Sequence, residues 1–201
     1  MELKYKGTKI KISFLFALSL CIISTLDRSN FICINLLCAA LHECGHIAAM
    51  LALGERPAEI CFTPFGLRIE RREMNSMNFK NEAMIALAGP AMNFFLAAGG
   101  VIMQRAFSLN LFAFTAVNVV LGTLNLAVCE PLDGYRAARY FLMQKTSEEK
   151  TDKILKISSL VFLFPLAAAG FYVLIKSGYN FSLLLVAVYL CAFLFMRTKS
   201  I

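Results

Sequence analysis

The stretch from Phe31 to Leu53 is apolar over the length of a membrane-crossing helix, yet it holds His42, Glu43 and His46. In hydrocarbon a helix bonds its own backbone polar groups and a lone strand cannot, so this part of the chain is restricted to a lipid-embedded helix. Ionisable groups at that depth face protein, water or an ion. His42 and His46 lie four apart on one helix face, so both imidazoles can reach one cation. Glu43 beside them can take a proton from a water that the cation activates. The chain has 2 histidines in all, and both are here.

Five further apolar runs, at about 12–26, 83–103, 109–128, 157–175 and 181–196, obey the same physics. With 59% hydrophobic and 16% charged residues in 201, the chain reads as all-α and integral to the membrane. The expected architecture is a polytopic six-helix transmembrane bundle forming a single domain over 1–201. Lys4, Lys6, Lys9 and Lys11 precede the first run and no small-residue cleavage site follows it, so an uncleaved first span is expected. Between spans two and three, Glu59–Thr63 and Leu67–Arg71 partly alternate around Pro64-Phe65-Gly66, which predicts a small membrane-associated β-hairpin. Such an element must be buried in protein or line a wet cavity. The third run carries Gly89-Pro90 and Asn93, and the fourth Asn118 and Asn125. A polar segment then runs from Glu130 to Lys156, with an amphipathic stretch around Arg136, Arg139 and Tyr140.

The net charge of +7 is explained by topology without a nucleic-acid partner. Of the 20 Lys and Arg, all except Arg28, Arg105 and Lys176 fall in segments that are cytoplasmic if the N-terminus is. This places the chain in the cell membrane as a multi-pass protein with both termini cytoplasmic and the lipid bilayer as its surroundings. His46 then lies roughly 10 Å of helix from the inner end of its span. Span four ends just before Glu130 and Asp133, so a carboxylate distant in sequence can meet the histidines in the cytoplasmic half of the bilayer. Cys21, Cys33, Cys38, Cys44, Cys129 and Cys191 fall in or beside apolar runs without a C-x-x-C pair, and read as reduced small hydrophobes.

Catalytic zinc takes three protein ligands and keeps one open position. Beyond the two histidines, the candidates on the inner side are Asp133, Glu130, Glu73 and Glu82. Asp133 is favoured because the turn Pro131-Leu132-Asp133-Gly134 can fix a carboxylate pointing back toward the spans.

Three segments, His42-Glu43-Cys44-Gly45-His46, Ala88-Gly89-Pro90-Ala91-Met92-Asn93 and the stretch from Asn125 to Gly134, carry a resemblance. In order and spacing they resemble the signatures of the site-2 protease family of intramembrane metalloproteases, over about residues 31–140. The compact six-span branch that includes sporulation pro-sigma-factor processing proteases is the most similar. The resemblance implies Zn²⁺ held by His42, His46 and Asp133, with Glu43 as general base. It implies that Asn125 binds the substrate carbonyl or its developing oxyanion, and that Asn93 with Gly89 and Pro90 belongs to the core helix beside the site. The reaction implied is hydrolysis of a peptide bond in or near a transmembrane segment of a membrane-bound protein. A sigma-factor precursor, an anti-sigma factor and a remnant signal peptide are substrates of that class, and a regulatory membrane partner is compatible with it. The hairpin, with Phe65 and Gly66 at its tip, is placed to pair with an extended substrate. Val128 stands where the family often has a proline, and Tyr135 where a second glycine is common. Neither a cystathionine-β-synthase-type tail nor a PDZ insertion is expected. Two other readings remain: a cytoplasm-facing membrane zinc protease using Glu130 or Glu82 as third ligand, and a non-catalytic zinc-binding or transport protein. Binding alone would not require Glu43, and the outer halves of the spans hold few polar groups to line a transport path.

Overall fold

A computed structural model describes residues 2–5, 8–13, 31–55, 57–63, 66–71, 78–178 and 181–198. The chain divides into two compact units, Met1–Thr123 and Leu124–Ile201.

In the first unit, β1 (Glu2–Tyr5) and β2 (Thr8–Ile12) precede helix α1 (Phe31–Ala52), followed by β3 (Pro57–Thr63), β4 (Gly66–Arg71), α2 (Phe79–Phe107) and most of α3 (Phe112–Asn125), whose last two residues fall in the second unit. The strands form one sheet in the order β1-β2-β3-β4. β3 and β4 pair antiparallel in the segment where the sequence suggests a hairpin. The lysine-rich N-terminus, read from sequence as the flank of a first span, supplies the other two strands. β2 runs parallel to β3, with Lys9 opposite Glu59 and Ile12 opposite Phe62. Lys11 Nζ reaches Glu59 Oε1 diagonally at 2.9 Å, an opposite-charge pair of the kind that steadies register. The remainder of the expected first span, from 14 onward, lies outside the described residues.

α1 buries Cys38, His42, Gly45, His46 and Met50, which recur at helical spacing and mark one face. It ends where Gly54 takes φ 77, with the Glu55 N–H donating back to the Met50 carbonyl at 2.9 Å. α2 starts at Asn78, whose side chain accepts from the Lys80 N–H, and runs unbroken through Pro90. α1 and α2 cross closely: a Cβ at Gly45 would stand 2.6 Å from the Ala88 carbonyl oxygen.

In the second unit, a turn leads to α4 (Asp133–Met143), α5 (Glu148–Ser177) and α6 (Ser182–Thr198). Its core gathers Cys129, Leu163, Leu190 and Leu194. Arg139 of α4 bridges to Glu148 at 3.1 Å and Asp152 at 3.5 Å on α5.

Among the described residues three helices, α1, α2 and α5, are long and apolar enough to cross a membrane, while α3 and Leu183–Ala192 are shorter apolar helices. The outward side chains are apolar too: Phe95, Phe164 and Ile175 are 75%, 80% and 81% exposed. An apolar exterior of that extent suits lipid as the solvent.

Candidate metal centre

The four-residue spacing on α1 brings His42 and His46 together, with ring centroids 4.9 Å apart and planes at 83°. Both are buried, and each ring is held at Nδ1 by α2. The His46 Nδ1 hydrogen donates to the Ile85 carbonyl at 2.7 Å. The His42 Nδ1 hydrogen donates to Asn93 Oδ1. Protons on Nδ1 leave Nε2 bare on both rings, and the two Nε2 atoms face each other at 3.2 Å. Two lone pairs so placed repel unless a cation lies against both. Zinc–nitrogen bonds at a tetrahedral angle hold their nitrogens about 3.3 Å apart, so the spacing fits a shared ion. Donation of the second ring nitrogen to a carbonyl is the usual way that a metal-binding histidine is oriented.

Gly89 explains how the rings fit against α2. A Cβ there would fall onto His46 Nε2 and stand 2.7 Å from His42 Nε2. The position accordingly admits glycine alone.

His42, His46 and Asp133, all three buried, are a group whose donor atoms could hold a metal ion. Asp133 opens α4, where a carboxylate is favoured by the helix dipole. Gly134 follows it under tight constraint, since a Cβ would meet the Leu126 carbonyl and stand 2.7 Å from that of Ala127.

The other expected site residues are distributed around these. Glu43 is half-buried on α1, next to the first histidine. Asn125, also half-buried, closes α3. Gly89, Pro90 and Asn93 are buried on α2. Gly66 opens β4, whereas Phe65 and Glu73 lie outside the described residues. Glu82 is buried near the start of α2 and Glu130 is half-buried in the turn before α4; neither joins the group of three.

Two features escape a reading of the sequence. One is Asn118, whose Oδ1 accepts from Asn93 Nδ2 at 2.8 Å. Its signal was an asparagine inside an apolar run. The other is the pair Ser158 and Ser159 on α5, which hold the turn ahead of Asp133.

No family model matches the chain. In sequence it is similar to a zinc metalloprotease from Methanocaldococcus jannaschii, at 27% identity over 164 residues, covering 75% of this chain and 48% of the relative. The chain thus spans about half the length of that curated relative. In fold it is similar to the solved site-2 protease from Methanocaldococcus jannaschii, with a TM-score of 0.68 at 23% identity over 98% of this chain and 94% of that one. The structural likeness shows a shared fold, and the sequence likeness is to a zinc metalloprotease.

Proposed function

We propose that the chain is an intramembrane zinc metalloprotease, hydrolysing a peptide bond in or near a transmembrane segment of a membrane-bound protein. The observation that carries this reading is the pair His42 and His46, each held at Nδ1 so that the two Nε2 atoms face each other at 3.2 Å, with Asp133 completing a group that could hold a metal ion. In this reading the three are the zinc ligands. A zinc ion held there would polarise the scissile carbonyl and lower the pKa of a water. Glu43, beside the first ligand, would act as general base, accepting a proton from the attacking water and returning it to the leaving amine. Asn93 keeps His42 oriented, and Asn125 donates its amide N–H to the substrate carbonyl.

Substrate helices are stable in lipid because their backbone is bonded internally, so one must be opened before hydrolysis. β4 is an edge strand of the sheet, and an extended substrate can replace lost helical hydrogen bonds by pairing with it. The distribution of basic residues supports six spans with both termini cytoplasmic and one membrane domain. A water route to the centre then opens from the cytoplasm, and a sigma-factor precursor or anti-sigma factor is a fitting class of substrate.

The test is co-expression with single-span substrates carrying a cytoplasmic tag. Wild type should release the tag and Glu43→Gln should not, while both purify with the same zinc content. Equal release by the two proteins, or none across a panel of substrates, overturns the reading.

A further inference from the structure

We propose that Asn118 is a positioning residue of the metal centre, setting through Asn93 which nitrogen of His42 carries the hydrogen and which can ligate metal. The proposal rests on the reading of His42 as a ligand. It comes from a chain of hydrogen bonds that begins at a main-chain carbonyl and ends at the ring.

The amide of Asn93 can in principle lie either way round. With Oδ1 toward His42, the ring keeps its hydrogen on Nδ1 and offers a bare Nε2. With Nδ2 there instead, Nδ1 must accept, the hydrogen moves to Nε2, and the ring can no longer ligate. The two orientations have nearly the same shape, so packing does not choose between them. Asn118 does. Its Oδ1 stands 2.8 Å from Asn93 Nδ2 and can only accept, which turns Asn93 Oδ1 toward the imidazole.

Asn118 would face the same ambiguity without an anchor of its own. That anchor is the Phe114 carbonyl, which accepts from Asn118 Nδ2 at 2.9 Å. A main-chain carbonyl has no hydrogen to offer, so the polarity is fixed at that end. The second hydrogen of the same amide points at Cys38 Sγ, 3.1 Å away, on the helix that carries His42. Asn93, Asn118 and Cys38 are each 0% exposed, so water does not compete for any of these bonds. Burying two amides in an apolar setting is costly unless they are bonded, and a leucine of similar shape would fill the space of Asn118 without that cost. What leucine cannot do is carry direction from Phe114 to His42.

The chain's 2 histidines make the inference directly measurable. Full-length protein in detergent, labelled with ¹⁵N-histidine and freed of metal, shows whether each ring nitrogen is protonated or bare; a His46→Gln sample identifies the His42 signals. Wild type should show His42 protonated at Nδ1. Asn118→Leu should give a mixture of tautomers and weaken zinc binding about 10- to 100-fold in a chelator competition. Asn118→Asp should restore both, because a carboxylic acid kept protonated by its apolar surroundings offers one hydrogen to Phe114 and one oxygen to Asn93. Folded Asn118→Leu protein with the wild-type ring spectrum overturns the proposal. Should that variant not fold, the smaller Asn118→Ala is read by the same criterion. The tautomer and the zinc affinity are recorded without substrate, so a wild-type protein that binds zinc but cleaves no substrate would defeat the protease reading and leave this result standing.

Discussion

At position 89 the two imidazoles leave no room for a methyl group. Gly89→Ala should therefore displace His46 and reduce zinc content at least tenfold, with tag release lost in parallel. Gly99→Ala on the same helix meets nothing within 4 Å and should leave both unchanged. Metal analysis of the two purified variants distinguishes a local clash from a general effect of alanine in α2. At this scale the sequence is informative where chemistry is local. His42 and His46 could be read as a pair because four residues of helix bring any two side chains to one face. Asn118 could be recognised as needing a partner in an apolar run, but its partner is 25 positions away on another helix, and no local period connects them. The serines are less visible still, because a serine in a lipid-embedded helix ordinarily bonds its own helix, as Ser159 does to the Leu155 carbonyl at 2.9 Å.

The turn between α3 and α4 shows how one element can steady another. Ser158 Oγ donates to the Val128 carbonyl at 3.1 Å, and the Glu130 N–H donates to Ser159 Oγ at 3.4 Å. A proline at 128 would stiffen this backbone from within. With valine there, the hold comes from α5. Each hydroxyl is worth about 1 kcal/mol if its bond is simply lost. The double variant Ser158→Ala, Ser159→Ala should lower thermal stability and weaken zinc binding about tenfold while the helical circular dichroism stays the same. Unchanged zinc affinity would show that the turn holds Asp133 without them. The strands mark the limit of sequence reading for elements. β3 and β4 alternate and flank a Pro-Phe-Gly tip, so they announce themselves locally. β1 and β2 are lysine-rich and lead into an apolar run, a pattern that membrane anchors share, and only the distant pairing of β2 with β3 reveals them as strands.

For the molecule as a whole, run length was a good guide to the long helices and a poor one to the short. The expected span at 109–128 contains an α3 of 14 residues, flanked by local turns in which the Leu111 N–H donates to the Leu109 carbonyl and that of Ala127 to Leu124. Loops packed against lipid-facing helices are as apolar as the helices, so hydropathy cannot mark where one becomes the other. Charge asymmetry makes the orientation testable: alkaline phosphatase inserted after Gly178 should be active, and after Lys145 inactive, in a bacterial host. The reverse pattern would put the histidines nearer the outer face. The parallel pairing of β2 with β3 also imposes an order on biosynthesis. Thr8–Ile12 is translated before α1 and Pro57–Thr63 after it, so the central ladder cannot close until the histidine-bearing helix has emerged from the ribosome. Closure of the sheet is thus a late event that reports α1 already made, and it ties the start of the polypeptide to the segment just beyond that helix.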